Sequence, residues 1–162
     1  MKSGNLTKKK NIADGISKNK LYYREYFFNE KMSNEKNYIL LDRELKKIPS
    51  LRKGSRDYNI EIADLYKEGE IIAVKISDKP HALIYNIQQS ITTIQNIKRG
   101  VIIFNKPLTD VVLWISTTKK ISELIEINSI QFLLAIQNWK EIVEGFNLKP
   151  KIYYSHHKKD NI

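Results

Sequence analysis

Apolar positions along this chain recur at two intervals, and the interval changes where the elements change. From Leu21 to Met32 (LYYREYFFNEKM), Tyr22 and Tyr26 lie four apart, as do Tyr23 and Phe27, with Phe28 beside them. Residues three and four apart share a helix face, so the segment predicts a helix with an aromatic face, its acids being Glu25 and Glu30. Tyr38–Asp42 (YILLD) is an apolar run of strand size. Arg43–Asn59 holds Pro49, Gly54 and many charges, which predicts a loop. In Ile60–Ser77 (IEIADLYKEGEIIAVKIS) the pattern predicts two short strands joined by a tight turn at Glu68-Gly69. Asp78-Lys79-Pro80 stops the second strand. The helical period returns over His81–Arg99, where Ile84, Ile87, Ile91, Ile94 and Ile97 form a stripe among Gln88, Gln89, Thr92, Thr93 and Asn96, and Gly100 ends it. Asp110–Ser116 reads as a buried strand, Ser129–Phe146 as a second amphipathic helix, and Pro150–Ser155 as a final strand.

The predicted order is helix, three strands, helix, strand, helix, strand. Its first six elements match the αβββαβ core of restriction-endonuclease-like folds, so the expected class is α/β (α+β) with an added helix and strand. The expected organisation is a basic flexible arm over 1–20, one domain over 21–155 and a polar tail over 156–162.

Composition narrows the partners. The chain has 162 residues, 41% of them hydrophobic, enough for one core, and it has no cysteine. Disulfides and thiolate metal sites are thereby excluded, and a cytoplasmic protein is expected. There is no apolar run of membrane-spanning length and no apolar stretch behind the basic N-terminus, so neither membrane insertion nor a secretory signal is expected. The net charge of +10, from 28 Lys+Arg against 18 Asp+Glu, favours a polyanionic partner, nucleic acid first and an anionic membrane surface second. The richness in Lys, Ile and Asn is also what an AT-rich genome produces. Lysine dominates, and few arginines argue against base-specific readout. The cations expected to meet phosphates are Lys8, Lys9 and Lys10 of the arm, and Arg43, Lys46, Lys47, Arg52, Lys53 and Arg56 of the loop.

Candidate chemistry concentrates in the hairpin. Pairing symmetric about Glu68-Gly69 sets Asp64 opposite Ala73 and Lys75 opposite Ile62. Cross-strand Cβ atoms lie about 4.5–5.5 Å apart, and residues two apart share a face. Asp64, Ala73 and Lys75 would then share one face with Ile62 and Ile71. This resembles the metal-dependent nucleases of the PD-(D/E)xK type, which place an aspartate, a second acid and a lysine in this way. Alanine stands here where the second acid belongs. The resemblance implies Asp64 and Lys75 as catalytic residues, Asp64 as a metal ligand and Mg²⁺ as the cofactor, with a replacement acid from Glu25, Glu30 or Asp42; Glu61 points to the other face of a regular strand. Such a site binds Mg²⁺ through one or two acids, and the lysine stabilises charge on oxygen. The structural alternative is a strand-end aspartate paired with Lys75 or capping the turn, with Lys75 itself an edge-strand charge.

Other candidates carry less. His81 reads as a surface residue at a helix start. His156 and His157 are adjacent and would face opposite ways on a strand, with no third ligand nearby. Tyr22, Tyr23, Phe27 and Phe28 are able to stack on bases, but at helical spacing beside Leu21 such rings are more often core.

The strings LLDRELKK and YNIEIADLYKEGEIIAVKIS, followed by an Ile- and Gln-rich helix, resemble a sporadically distributed bacterial family of unknown function. Matching positions are Leu41, Asp42 and Arg43; Ile60, Glu61, Asp64 and Leu65; Ile72, Val74 and Lys75; and Gln88 or Gln89. The family often has His at the position of Ala73 and Cys at that of Ala63, where this chain departs. Its members are usually longer, so this chain is expected to be a C-terminal portion or compact relative. The resemblance implies a role in bacterial defence or mobile loci. The expected function is a nucleic-acid-binding domain of nuclease-like fold, catalytically degenerate. The alternatives are an active Mg²⁺-dependent nuclease and a protein-interaction module of a defence or toxin–antitoxin assembly.

Overall fold

A computed structural model describes residues 17–41, 45–48 and 58–157, with side chains over 25–41 and 62–157. Helix α1 (Ser17–Lys36) leads into β1 (Ile39–Leu40), β2 (Leu45–Ile48), β3 (Tyr58–Glu61), β4 (Leu65–Lys67) and β5 (Glu70–Ile76). Then come α2 (Pro80–Lys98), β6 (Asp110–Thr117), a 3₁₀ turn (Leu124–Ile127), α3 (Ile130–Gly145) and β7 (Lys149–His156). The protein is mixed α/β. Five strands form a sheet in the order β1-β4-β5-β6-β7. β1–β4 and β4–β5 pair antiparallel, whereas β5–β6 and β6–β7 pair parallel. Parallel neighbours need a crossover, and α2 and α3 supply one each. No helix among the described residues is long and apolar enough to cross a membrane.

Alternation along the strands loads both faces of the sheet. On one face Ile71, Val111, Leu113 and Ile115 pack with Leu83, Ile87 and Ile94 of α2 and Phe132, Trp139 and Val143 of α3. On the other, Leu65, Ile72, Val74 and Val112 meet Phe28 and Met32 of α1. There the rings of Phe28, Tyr38 and Tyr153 stand edge-on to Trp114 at 4.9, 6.1 and 5.6 Å.

Local chemistry sets the ends of the crossover helices. Pro80 opens α2, where its missing N–H costs nothing. Past the end of α2, Gly100 takes φ 73°, the Gly100 N–H donates to the Ile97 carbonyl and the Val101 N–H to the Asn96 carbonyl. Asn147, at φ 58°, repeats that arrangement after α3, with buried Leu148 donating to Val143. Ser129 caps the start of α3 by accepting from the Phe132 N–H.

Four expectations change. The helix over Leu21–Met32 extends from Ser17 to Lys36, into the segment read as an arm. Both ends of the expected loop Arg43–Asn59 are strands, since β2 and β3 pair as a separate two-stranded sheet, Leu45 opposite Glu61 and Ile48 opposite Tyr58. The strand expected at Pro150–Ser155 runs on to His156, and the His157 N–H bonds Thr117, so neither histidine belongs to a tail. The run Ile60–Lys67 is broken in two. Its register about Glu68-Gly69 holds as far as Leu65 opposite Ile72. The Asp64 N–H also donates to the Ile72 carbonyl at 3.1 Å. Two residues thus oppose one in the manner of a β-bulge, which bends the strand away. Asp64 is not paired with Ala73, nor Lys75 with Ile62.

The turn itself is tightly constrained. Glu68 and Gly69 have φ 47° and 92°, the left-handed pair that suits a two-residue hairpin loop. A Cβ on Gly69 would lie 2.5 Å from Thr109 Oγ1, beside the Gly69 carbonyl that accepts from Thr109 and Asp110. Gly69→Ala is expected to cost about 1–3 kcal/mol, measured as a lower urea midpoint at unchanged slope.

At the start of β5, β6 and β7, Lys151 bridges Glu70 (2.7 Å) and Asp110, and the Tyr153 hydroxyl donates to Glu70 at 2.7 Å. The hydrogen bond from Lys151 holds the Asp110 carboxyl below its usual value against the effect of partial burial. Burial and the Glu70 bond push the Tyr153 phenol up to about 12. What Asp110 contributes to stability is therefore complete above about pH 4 and lost as pH falls through its lowered value. What Tyr153 contributes is complete below about pH 10 and lost as pH rises further. Urea midpoints should fall at both extremes, and Lys151→Met should flatten the acid side.

Candidate functional site

The shortness of β4 creates the site. Beyond Ile72, β5 keeps β6 on one side and, among the described residues, has no ladder partner on the other. The N–H groups of Val74 and Ile76 point to that open side, and both residues are buried. A buried donor must find an acceptor. Asp64 Oδ2 accepts from the Val74 N–H at 2.7 Å, and Glu25 Oε1 accepts from the Ile76 N–H at 3.0 Å. The bulge at Asp64 turns one carboxylate onto the edge; α1, lying across the sheet, supplies the other.

Lys75 sits between the two donors in sequence. Its Nζ is 3.1 Å from Glu25 Oε1, with the lysine side chain 28% exposed and the glutamate 13%. One turn after Glu25 on α1, fully buried Asn29 donates from Nδ2 to Asp64 Oδ1 at 3.3 Å. The opposite orientation would aim the amide oxygen at a carboxylate. Asn29 Oδ1 is buried and meets no donor among the described residues.

These groups line a cleft of about 240 Å³ between α1, the open edge of β5 and α2. Ala73 lies on its floor, and α2 contributes Tyr85, Asn86, Gln89, Ser90 and Thr93. Asn86, Ser90 and Thr93 are buried, and Ser90 accepts from the Trp139 indole at 3.2 Å. The apolar stripe expected at Ile84, Ile87, Ile91, Ile94 and Ile97 faces the core, with Ile87 and Ile94 fully buried, the other three partly buried against it, and Leu83 joining them. The small polar residues Asn86, Ser90 and Thr93 lie beside that stripe and line the cleft.

The structure brings Asp64 and Lys75 together, as expected, and adds Glu25 from the acids considered as replacements. Glu30 instead accepts from the Tyr26 hydroxyl one turn away and does not line the cleft. Asp42 lies outside the described residues, as do Lys8, Lys9, Lys10, Arg43, Arg52, Lys53 and Arg56. Lys46 and Lys47 lie on β2, opposite Ile60 and Asn59. Gln89 lines the cleft and Gln88 does not. His81 is exposed at the start of α2. His156 Nε2 is 3.0 Å from the Thr118 carbonyl, away from these acids in the fold. Sequence reading missed Asn29, Tyr85, Asn86, Ser90 and Thr93. A usable signal was present: Asn29 is four residues from Glu25, and Asn86, Ser90 and Thr93 repeat at helical spacing.

Among the described residues no group of three His, Cys, Asp or Glu side chains is placed to hold a metal ion. The oxygen donors nearest that role are the Asp64 and Glu25 carboxylates and the Asn29 amide. Asp64 also has a structural duty that separates its variants. Asp64→Ala strips the Val74 N–H of its acceptor, which should cost about 1–3 kcal/mol. Asp64→Asn keeps an oxygen for that N–H and should cost less. Chemical denaturation of the two variants checks the difference.

Comparison with known proteins adds a family and no activity. No curated protein and no solved structure matches the chain. One family model does, over residues 4–99, a stretch that carries Glu25, Asn29, Asp64, Lys75 and the whole of α2. That is more than half of the sequence and every wall of the cleft, and on this basis the chain belongs to the family of unknown function DUF6119.

Proposed function

We propose that this protein is a nucleic-acid-binding domain of restriction-endonuclease-like fold, whose cleft grips a phosphodiester through Lys75 together with a divalent cation held by Asp64 and Glu25. The observation that carries this reading is the convergence of those three side chains at one open strand edge. The order α1-β1-β4-β5-α2-β6 supports the fold assignment, with β2–β3 as an insertion and α3-β7 as an addition. Charge supports the cation. Among the described residues two acids and one lysine line the cleft, a charge balance that by itself would repel phosphate.

The residues fit a hard cation. Mg²⁺ takes oxygen ligands, keeps several waters and binds through one or two carboxylates. Asp64 and Glu25 supply the carboxylates, and the buried oxygen of Asn29, which meets no donor among the described residues, is a donor of the same kind. When bound, such an ion polarises a phosphoryl oxygen. Lys75 neutralises charge on the phosphate, and its ion pair with Glu25 fixes its direction. Glu25 takes the part for which Ala73 has no side-chain oxygen. That substitution from another element favours a second reading, in which the site also hydrolyses the strand.

Fluorescence anisotropy of a labelled oligonucleotide tests the proposal. Ca²⁺ in place of EDTA should tighten binding about tenfold or more. Raising salt from about 50 to 200 mM should weaken it steeply, and Lys75→Met should reduce the salt slope by about one. Binding indifferent to the cation and to Lys75 would remove this reading. Strand cleavage in Mg²⁺ that disappears with Glu25→Gln would establish hydrolysis.

A further inference from the structure

The geometry points to an unpaired nucleobase as the second thing this cleft recognises, with Tyr85 as its stacking platform and Gln89 as the group reading its edge. The inference rests on the phosphodiester reading above and specifies the substrate as single-stranded nucleic acid. Tyr85 lines the cleft yet is 60% exposed, an unusual state for a large ring on an amphipathic helix whose other face is core. Gln89 is exposed one turn further along α2 and lines the same cleft. Side chains four apart on a helix stand side by side. An aromatic face next to a primary amide matches what an extruded base offers, a π-surface and a hydrogen-bonding edge. In a duplex that edge is paired and both faces are stacked, so neither contact is available. The opposite wall is aromatic as well, since Tyr26 lines the cleft and meets 59%-exposed Phe27 edge-to-face at 6.0 Å. Lys75 on the floor and Tyr85 on the rim place a phosphate contact and a base contact within one cleft.

Anisotropy titrations of the full chain with Ca²⁺ test this, using an oligo-dT and an oligo-U strand of about 20 nucleotides and a duplex of the same length. The expected result is that at least one single strand binds about tenfold or more tighter than the duplex. Tyr85→Ala should weaken single-strand binding about tenfold and leave duplex binding unchanged, while Tyr85→Phe should retain it. Gln89→Ala should reduce the difference among homopolymers of different base. Equal affinity for single and double strands, or no effect of Tyr85→Ala while Lys75→Met still weakens binding, would overturn the base contact and spare the phosphodiester reading. Sensitivity to Tyr85→Ala with none to Lys75→Met or to the cation would keep the base contact and overturn the phosphodiester reading.

Discussion

Two backbone N–H groups on one strand edge organise much of this molecule. The β4–β5 ladder stops at Leu65 and Ile72, and Val74 and Ile76 are left buried with donors facing a side where no strand of the described residues pairs. Leaving them unpaired would cost the full desolvation of each. The fold answers with carboxylates, Asp64 for one and Glu25 for the other. Because Glu25 belongs to α1, satisfying the edge also fixes that helix against the sheet, alongside the packing of Phe28 and Met32. Helix position, strand ending and cleft are therefore one arrangement.

The same arrangement concentrates polar groups where a core would otherwise close. Lys75 lies between the capped positions and pairs with Glu25; Asn29 is drawn to Asp64, and its own oxygen meets no donor among the described residues. α2 meets this region with Asn86, Ser90 and Thr93 and not with its isoleucines. A fully apolar packing would be simpler and no less stable, since partly satisfied polar clusters are expensive. Their retention here, beside an exposed tyrosine, is what sets the cleft apart from the ion-pair network at the other end of β5. There Lys151, Glu70, Asp110 and Tyr153 satisfy one another, and the outcome is cross-strand stabilisation.

A strand edge that ends early is also a hazard, because open ladders recruit other chains. Covering the edge with side-chain carboxylates and a helix removes that risk without another strand. β7, the opposite margin of the sheet, is protected differently, by exposed Lys149 and by Pro150, which offers no donor.

Much of this architecture is written locally. The period-two runs at β5 and β6, the isoleucine and Phe/Trp stripes of α2 and α3, the Glu68-Gly69 turn and the Gly100 stop are all readable from the chain, because each reflects near neighbours. Asp64 and Lys75 were readable as a pair for the same reason: they flank one turn. What tertiary structure decided lies across longer separations. The bulge that ends β4 depends on β3 leaving to pair with β2, which no period reveals. Glu25 stands among several plausible acids until α1 packs on the sheet and one of them meets an unpaired N–H fifty-one residues away. That Asn86, Ser90 and Thr93 are buried while Tyr85 is exposed depends on how α2 packs, with Ser90 meeting the indole of Trp139 on α3. Side chains and turn signals fix which segments become strands and helices; only packing, by deciding which buried donors lack a partner, fixes where the functional groups converge.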